Sequence, residues 1–193
     1  TKVGWVTPTN VTGNMTGAVI PRVMDNSTVY RMWDNGAVGN QYYLIENRQK
    51  VGYDAQLPGS WLCVWHIDDT KASNTKEWYP GNTSNGNYWV ALEQADGLWE
   101  MDKNIDQGDA ADPFPGTTSN TTFSAATTPN SNAYNGTQTF VTVTNISASA
   151  NNMTCDFQVS LVADVFGEEG DVPQDYKLSL SNSPNPFNAS TNV

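Results

Sequence analysis

The densest chemistry in this sequence lies in one polar stretch, Asp102-Lys-Asn104-Ile-Asp106-Gln-Gly108-Asp109-Ala-Ala-Asp112-Pro-Phe-Pro-Gly116. It carries oxygen side chains at Asp102, Asn104, Asp106, Asp109 and Asp112. Hard cations such as Ca²⁺ take six to eight oxygen ligands, and a flexible loop supplies them through closely spaced carboxylates and amides. Asp102, Asn104 and Asp106 have the alternate spacing that turns every second side chain inward, and Gly108 permits a sharp turn before Asp109 and Asp112 close the shell. The match to an EF-hand loop is incomplete: Gly108 falls one place late, Pro113 stands at the twelfth position, and the flanks carry no helical pattern. The plain alternative is a solvated acidic loop. Calcium is the expected ion, with Glu93, Asp96 and Glu100 just upstream as further oxygen donors.

Other reactive residues are few. The single histidine, His66, stands in Trp65-His66-Ile67-Asp68-Asp69. It reads either as a metal ligand with Asp68 or, as one histidine without a second soft ligand suggests, as a strand-end residue bonded to a backbone carbonyl. Cys63 and Cys155 are the only cysteines. An even count in an exported protein indicates a disulfide, and two buried free thiols are the other state open to them. No Ser/His/Asp order, no Cys-x-x-Cys and no glycine-rich phosphate loop is present, so no catalytic residue is assigned. Asn-x-Ser/Thr triplets recur from Asn10 to Asn188 and fit an extracellular setting, although an Asn/Thr-rich chain makes several by chance. Among the seven tryptophans, Trp61, Trp65 and Trp89 fall in strand-like runs and read as packing residues, whereas Trp33, Trp78 and Trp99 lie at loop edges, where an indole can stack on a sugar.

The elements that must position these residues are strands. The chain has 193 residues, enough for one substantial core. Runs rich in branched and aromatic residues span Val3–Val6, Thr28–Trp33, Gln41–Glu46, Trp61–Ile67, Asn87–Leu92, Thr137–Ile146 and Met153–Val162, separated by turn clusters such as Asp34-Asn35-Gly36 and Pro80-Gly81-Asn82. Trp61–Ile67 is apolar on both faces and predicts a central strand covered on both sides. Phe140 is out of step with Val141 and Val143, which predicts a bulge. The expected fold is all-β, a jelly-roll-like β-sandwich with long loops over residues 1–163, then an acidic linker over 164–175, then the start of a further unit or tail strand over 176–193.

Charge narrows the partners. Acids outnumber bases 20 to 9, and the formal net charge is −11. Binding to a nucleic-acid backbone needs clustered Lys and Arg, so no nucleic-acid partner is expected, and docking on anionic lipid is disfavoured too. No apolar run is long enough to predict membrane insertion.

Several motifs in order resemble one family. Lys2-Val3-Gly4-Trp5-Val6 opens the series, and Gln41-Tyr-Tyr-Leu-Ile-Glu-Asn-Arg-Gln49 follows, with Tyr53-Asp54 and Leu57-Pro58-Gly59. Leu62-Cys-Val-Trp-His-Ile-Asp68, Ala91-Leu-Glu-Gln-Ala-Asp-Gly97 and Gly108-Asp109-Ala-Ala-Asp112-Pro-Phe-Pro-Gly116 complete it. Over residues 1 to 160 this resembles the β-rich part that follows the catalytic core of immune-inhibitor-A-like secreted zinc metallopeptidases. The tail, Leu180-Ser-Asn-Ser-Pro184-Asn185-Pro186-Phe187-Asn188, is similar to the opening of C-terminal sorting domains used by the type IX secretion route. The resemblance implies an extracellular or cell-surface protein of a bacterium, with calcium held by the acidic loop. It places zinc and peptide hydrolysis in a separate catalytic part, because the family's His-Glu-x-x-His is not in this sequence. The expected partner is that catalytic domain. The alternatives are a structural subunit assembling with other copies of itself in a fibre or coat through the tail strand, and a carbohydrate-binding β-sandwich.

Overall fold

A computed structural model describes residues 6–75, 78–84 and 86–160. The expected run Val3–Val6, nearly all of the opening motif, the acidic linker and the tail strand lie outside these residues. The described part is all-β. Its strands are β1 (Thr9–Asn10), β2 (Met15–Pro21), β3 (Tyr30–Met32), β4 (Gln41–Arg48), β5 (Trp61–Asp68), β6 (Val90–Leu92), β7 (Thr142–Thr144) and β8 (Asn152–Gln158), with single 3-10 turns at Asp34–Gly36 and Gly52–Asp54. No described helix is long and apolar enough to cross a membrane. One sheet has the order β1-β3-β4-β5-β6 and the other β2-β8-β7. They form a β-sandwich.

The long hairpin β4–β5 sets the pattern, with its register running from Gln41 opposite Asp68 to Arg48 opposite Trp61. Successive strand residues face opposite sides. Tyr43, Ile45 and Asn47 on β4 and Leu62, Val64 and His66 on β5 therefore share the inner face, and each is at most 1% exposed. They meet Ala18 and Ile20 of β2, Val143 of β7, and Met153, Cys155 and Phe157 of β8 in one core, filled from the loops by Phe114 and Phe123. The outer face of β5 is covered as expected for a central strand: Cys63 and Ile67 are buried there. Trp65 directs its indole N–H to Glu46 Oε1 at 2.9 Å, and Arg48 Nε meets the same carboxylate at 2.7 Å.

Two strands escaped the sequence reading. β1 is only two residues long, and β2 contains Gly17 and ends in Pro21, both of which read as strand breakers. β2 tolerates them because it is an edge strand and because Gly17, with φ +65°, sits where the β2–β8 register shifts. Phe140 does break its run: with φ 58° it adopts a left-handed conformation, and regular pairing begins only at Thr142.

The expected disulfide is corrected. Cys63 and Cys155 are both free and buried. Cys155 belongs to the core between the sheets, whereas Cys63 follows Leu62 on β5 and so points to the opposite, outer face of the larger sheet. A full sheet layer separates the two sulfurs. Burial pushes both thiols up to about 12, Cys63 with added push from Glu46 and Cys155 from Asp156.

Asn47 joins the sheets. Fully buried, its Nδ2 donates to the carbonyls of Ile20, Ala150 and Asn151 at 2.9, 3.0 and 3.2 Å, while Gln49 Nε2 donates to its Oδ1 at 2.7 Å. Replacing it by Leu strands buried carbonyls, so Asn47→Leu is expected to cost about 2–4 kcal/mol in urea unfolding with an unchanged m-value. For the thiols, mass analysis after N-ethylmaleimide labelling should find no adduct on the native protein at neutral pH and two adducts after unfolding without reductant. A pair that labels only after reduction would restore the disulfide.

Candidate functional site

The acidic stretch hangs from β5 and β6. At its start, Glu93 N donates to Val64 O at 2.9 Å and Ala95 N to Asp112 O at 2.6 Å; at its end, Phe114 and Leu62 exchange backbone hydrogen bonds of 2.8 Å. Fixed at both ends, the stretch crosses the outer face of the sheet, where Met101, Gly108, Asp109, Asp112 and Pro113 meet Cys63 and Trp65 around a cavity of about 260 Å³.

Within it, carboxylates converge in two triplets that share Asp109. Asp96, Asp109 and Asp112 form one and Glu100, Asp106 and Asp109 the other, and in each the oxygens lie within 4.8 Å of one another. Three of the five expected ligands, Asp106, Asp109 and Asp112, are thus brought together, with Asp96 and Glu100 as added donors. Asp102 is in neither carboxylate triplet. The chain coils between Trp99 and Ile105, with Lys103 N on Trp99 O at 2.9 Å and Ile105 N on Glu100 O at 2.8 Å, so alternate side chains no longer share a face. Asp102 turns inward, where its Oδ2 accepts from Gln94 Nε2 at 2.9 Å. Asn104 takes a left-handed conformation (φ 55°) and is exposed.

Gly108 is required where it stands. Its φ is +99°, and a Cβ there would lie 3.1 Å from Met101 Sδ and 3.2 Å from Asp112 Oδ2. Asx-type bonds shape the rest: Gly108 N on Asp106 Oδ1 at 2.9 Å, Ala111 N on Asp109 Oδ1 at 2.5 Å and Asp109 N on Asp112 Oδ2 at 2.5 Å. Crowding of like charge is visible in the acids themselves. Burial, then the charges of Asp96, Asp109 and Asp106, push Asp112 up to about 6 against the Asp109 N–H that lowers it. Glu100 is raised by desolvation and by Asp106, Asp96 and Asp109, with Lys103 opposing. A divalent cation would relieve this repulsion, and the hard oxygen donors suit calcium or magnesium rather than a soft metal.

His66 departs from the backbone-carbonyl reading. Its Nδ1 lies 3.0 Å from Glu93 Oε1, not on a backbone carbonyl, and Asp68 is engaged instead by Thr70 and Asn87. The carboxylate accepts, so Nδ1 is the donor of this bond. The partner Glu93 is 27 residues away and gave no signal in the sequence. The ring stacks flat on Tyr134, centroids 3.9 Å apart, and touches Tyr43 at 4.5 Å. The tryptophans divide as well. Trp61 packs against the core and Trp33 lies over Tyr43, while Trp78 and Trp99 line a cavity beside His66.

Comparison with protein-family models, with curated proteins and with solved structures found no match for this chain.

Asp102 provides a test of the electrostatics. Burial, then Glu93 and Asp112, raise it to about 7. A folded-state value above the unfolded one near 3.9 means the native state holds the proton more tightly, so this contribution is complete below about pH 4 and lost as pH rises through about 7. In chelator, Tm should therefore fall between those limits, and Asp102→Asn should flatten the decline and raise Tm at pH 7.5.

Proposed function

We propose that this chain is a non-catalytic, calcium-stiffened β domain of a secreted or cell-surface metallopeptidase-like protein. The observation that carries the reading is the pair of carboxylate triplets joined through Asp109, held on a stretch that is anchored to β5 at both ends. The motifs that resemble the immune-inhibitor-A-like family support it by their location. Gln41–Gln49 covers β4, Leu62–Asp68 covers β5, and Ala91–Gly97 and Gly108–Gly116 bracket the acidic stretch. The resemblance therefore falls on the residues that build the loaded outer face of the sheet.

In this reading the ion staples a long stretch without regular secondary structure onto the sandwich and neutralises part of the −11 charge. Asp109 then serves both triplets, with Asp96 and Asp112 in one and Glu100 and Asp106 in the other. Zinc and the catalytic base belong to the His-Glu-x-x-His core of the family, which would be the domain's partner. The work left to these residues is to present a rigid surface to that core in a calcium-containing medium outside the cell.

Calcium at about 100 times its Kd adds about 2.7 kcal/mol of stability. In a chain of this size that raises Tm by about 5–10 °C over the chelated protein. Asp109→Asn keeps the acceptor for Ala111 N but removes the shared charge, so it should raise the calcium-free Tm and abolish the calcium response. An identical melting curve in chelator and in calcium would refute the calcium role.

A further inference from the structure

Near the His66 end of β5 the inner face opens into a cavity of about 230 Å³. Its aromatic walls are Trp78, Trp99 and Tyr134, with Trp78 set edge-on to Tyr134 at 4.6 Å and 78°. Trp99 holds its place with φ 52°, a conformation that a bulky side chain adopts only under constraint and that concentrates at binding sites. Between the rings lie neutral polar groups: the amides of Asn130 and Asn132 and, at the exposed rim, Thr83.

Three buried polar atoms of the lining residues have no hydrogen-bond partner among the described residues: His66 Nε2, Asn132 Oδ1 and the Tyr134 hydroxyl. Orphaned polar groups are rare in folded proteins and call for a reason. Asn132 Oδ1 accepts, and His66 Nε2 and the Tyr134 hydroxyl can each donate or accept, so the missing partner is one that offers hydrogen bonds in both directions, as a hydroxyl does. Among the described residues that line the cavity there is no Lys or Arg, and the one carboxylate is Glu93. Glu93 Oε1 is itself taken by His66, and the unpaired atoms are spread over three side chains. That spread suits several hydroxyls better than the single point charge of an ammonium group. The volume is below the roughly 300–1,000 Å³ of sites for drug-sized ligands and fits one ring.

We propose that this cavity binds a single neutral sugar residue, its C–H face against Trp78 and Trp99 and its hydroxyls exchanging hydrogen bonds with His66, Asn132 and Tyr134. Aromatic rings supply the flat apolar contact, and the buried polar atoms fix orientation. The site is separate from the carboxylate triplets and does not require them.

The test is saturation-transfer NMR and tryptophan-fluorescence titration of the full chain with methyl α-D-mannoside, methyl β-D-galactoside, N-acetyl-D-glucosamine and cellobiose. At least one should receive transfer and perturb the indole emission. Trp99→Ala and Trp78→Ala should each weaken it roughly tenfold, and Trp33→Phe, outside this cavity, should leave it unchanged. Thr83→Val, at the exposed rim, provides a variant that leaves the packed walls intact and should also weaken binding. Absence of transfer from all four sugars overturns the proposal. So does binding that survives all three cavity variants, or a response to n-butylammonium chloride with none to the sugars.

Discussion

The rest of this structure depends on the burial of β5 from both sides. A strand in the interior of a sheet, apolar on both faces, needs cover on each. On its inner face Leu62 and Val64 meet the smaller sheet through Ile20, Met153 and Phe157. On its outer face Cys63 and Trp65 have no second sheet to pack on, and the chain after β6 supplies cover instead. That explains why the stretch from Glu93 to Phe114 is long, why it lacks a regular element, and why both its ends are tied to β5 by backbone hydrogen bonds. The convergence of carboxylates follows from the tether. Acids on a loop pinned at Val64 and Leu62 have little area over which to disperse.

The same strand changes character along its length. Its inner face begins with Leu62 and Val64 and ends with His66 and Asp68, both at most 2% exposed. Buried polar groups must be paired, and the two residues solve this differently. Asp68 is saturated by Thr70 and Asn87, which hold its pKa down despite burial. His66 is half-saturated: Glu93 takes Nδ1, Tyr134 covers the ring face, and Nε2 is orphaned. The core thus runs from a dry end under Phe114 and Phe123 to a polar, aromatic end with a cavity.

How much of this was legible follows from the range of each interaction. β4 and β5 were readable because branched and aromatic runs bounded by turns are local signals. β2 was not, because Gly17 and Pro21 are breakers everywhere except at an edge with a register shift, and edges are fixed only by the final strand order. The free thiols follow from parity: Cys63 and Cys155 both read as buried strand residues, but only the pairing of β4 with β5 tells which face Cys63 takes. The His66–Glu93 contact has the same origin. His66 stands opposite Ala91, so Glu93, two residues on, is its diagonal neighbour on the same face. Nothing in either local sequence reveals that register.

The acidic loop departs from an alternating, extended course for a reason that lies outside the loop. Gln94 is fully buried, and a buried primary amide is costly unless its oxygen and nitrogen are both engaged. Its Oε1 accepts from Glu100 N at 2.8 Å and its Nε2 donates to Asp102 Oδ2 at 2.9 Å. Satisfying both draws residues 100 to 102 inward toward the end of β6. Asp102 is thereby kept out of the two triplets, and burial, then the charges of Glu93 and Asp112, raise the cost of ionising it. Glu100, held by its backbone rather than its side chain, keeps its carboxylate free to join Asp106 and Asp109. One buried amide thus decides which acids face the outer cluster and which face the histidine. A sequence pattern confined to residues 102–112 could not contain that decision.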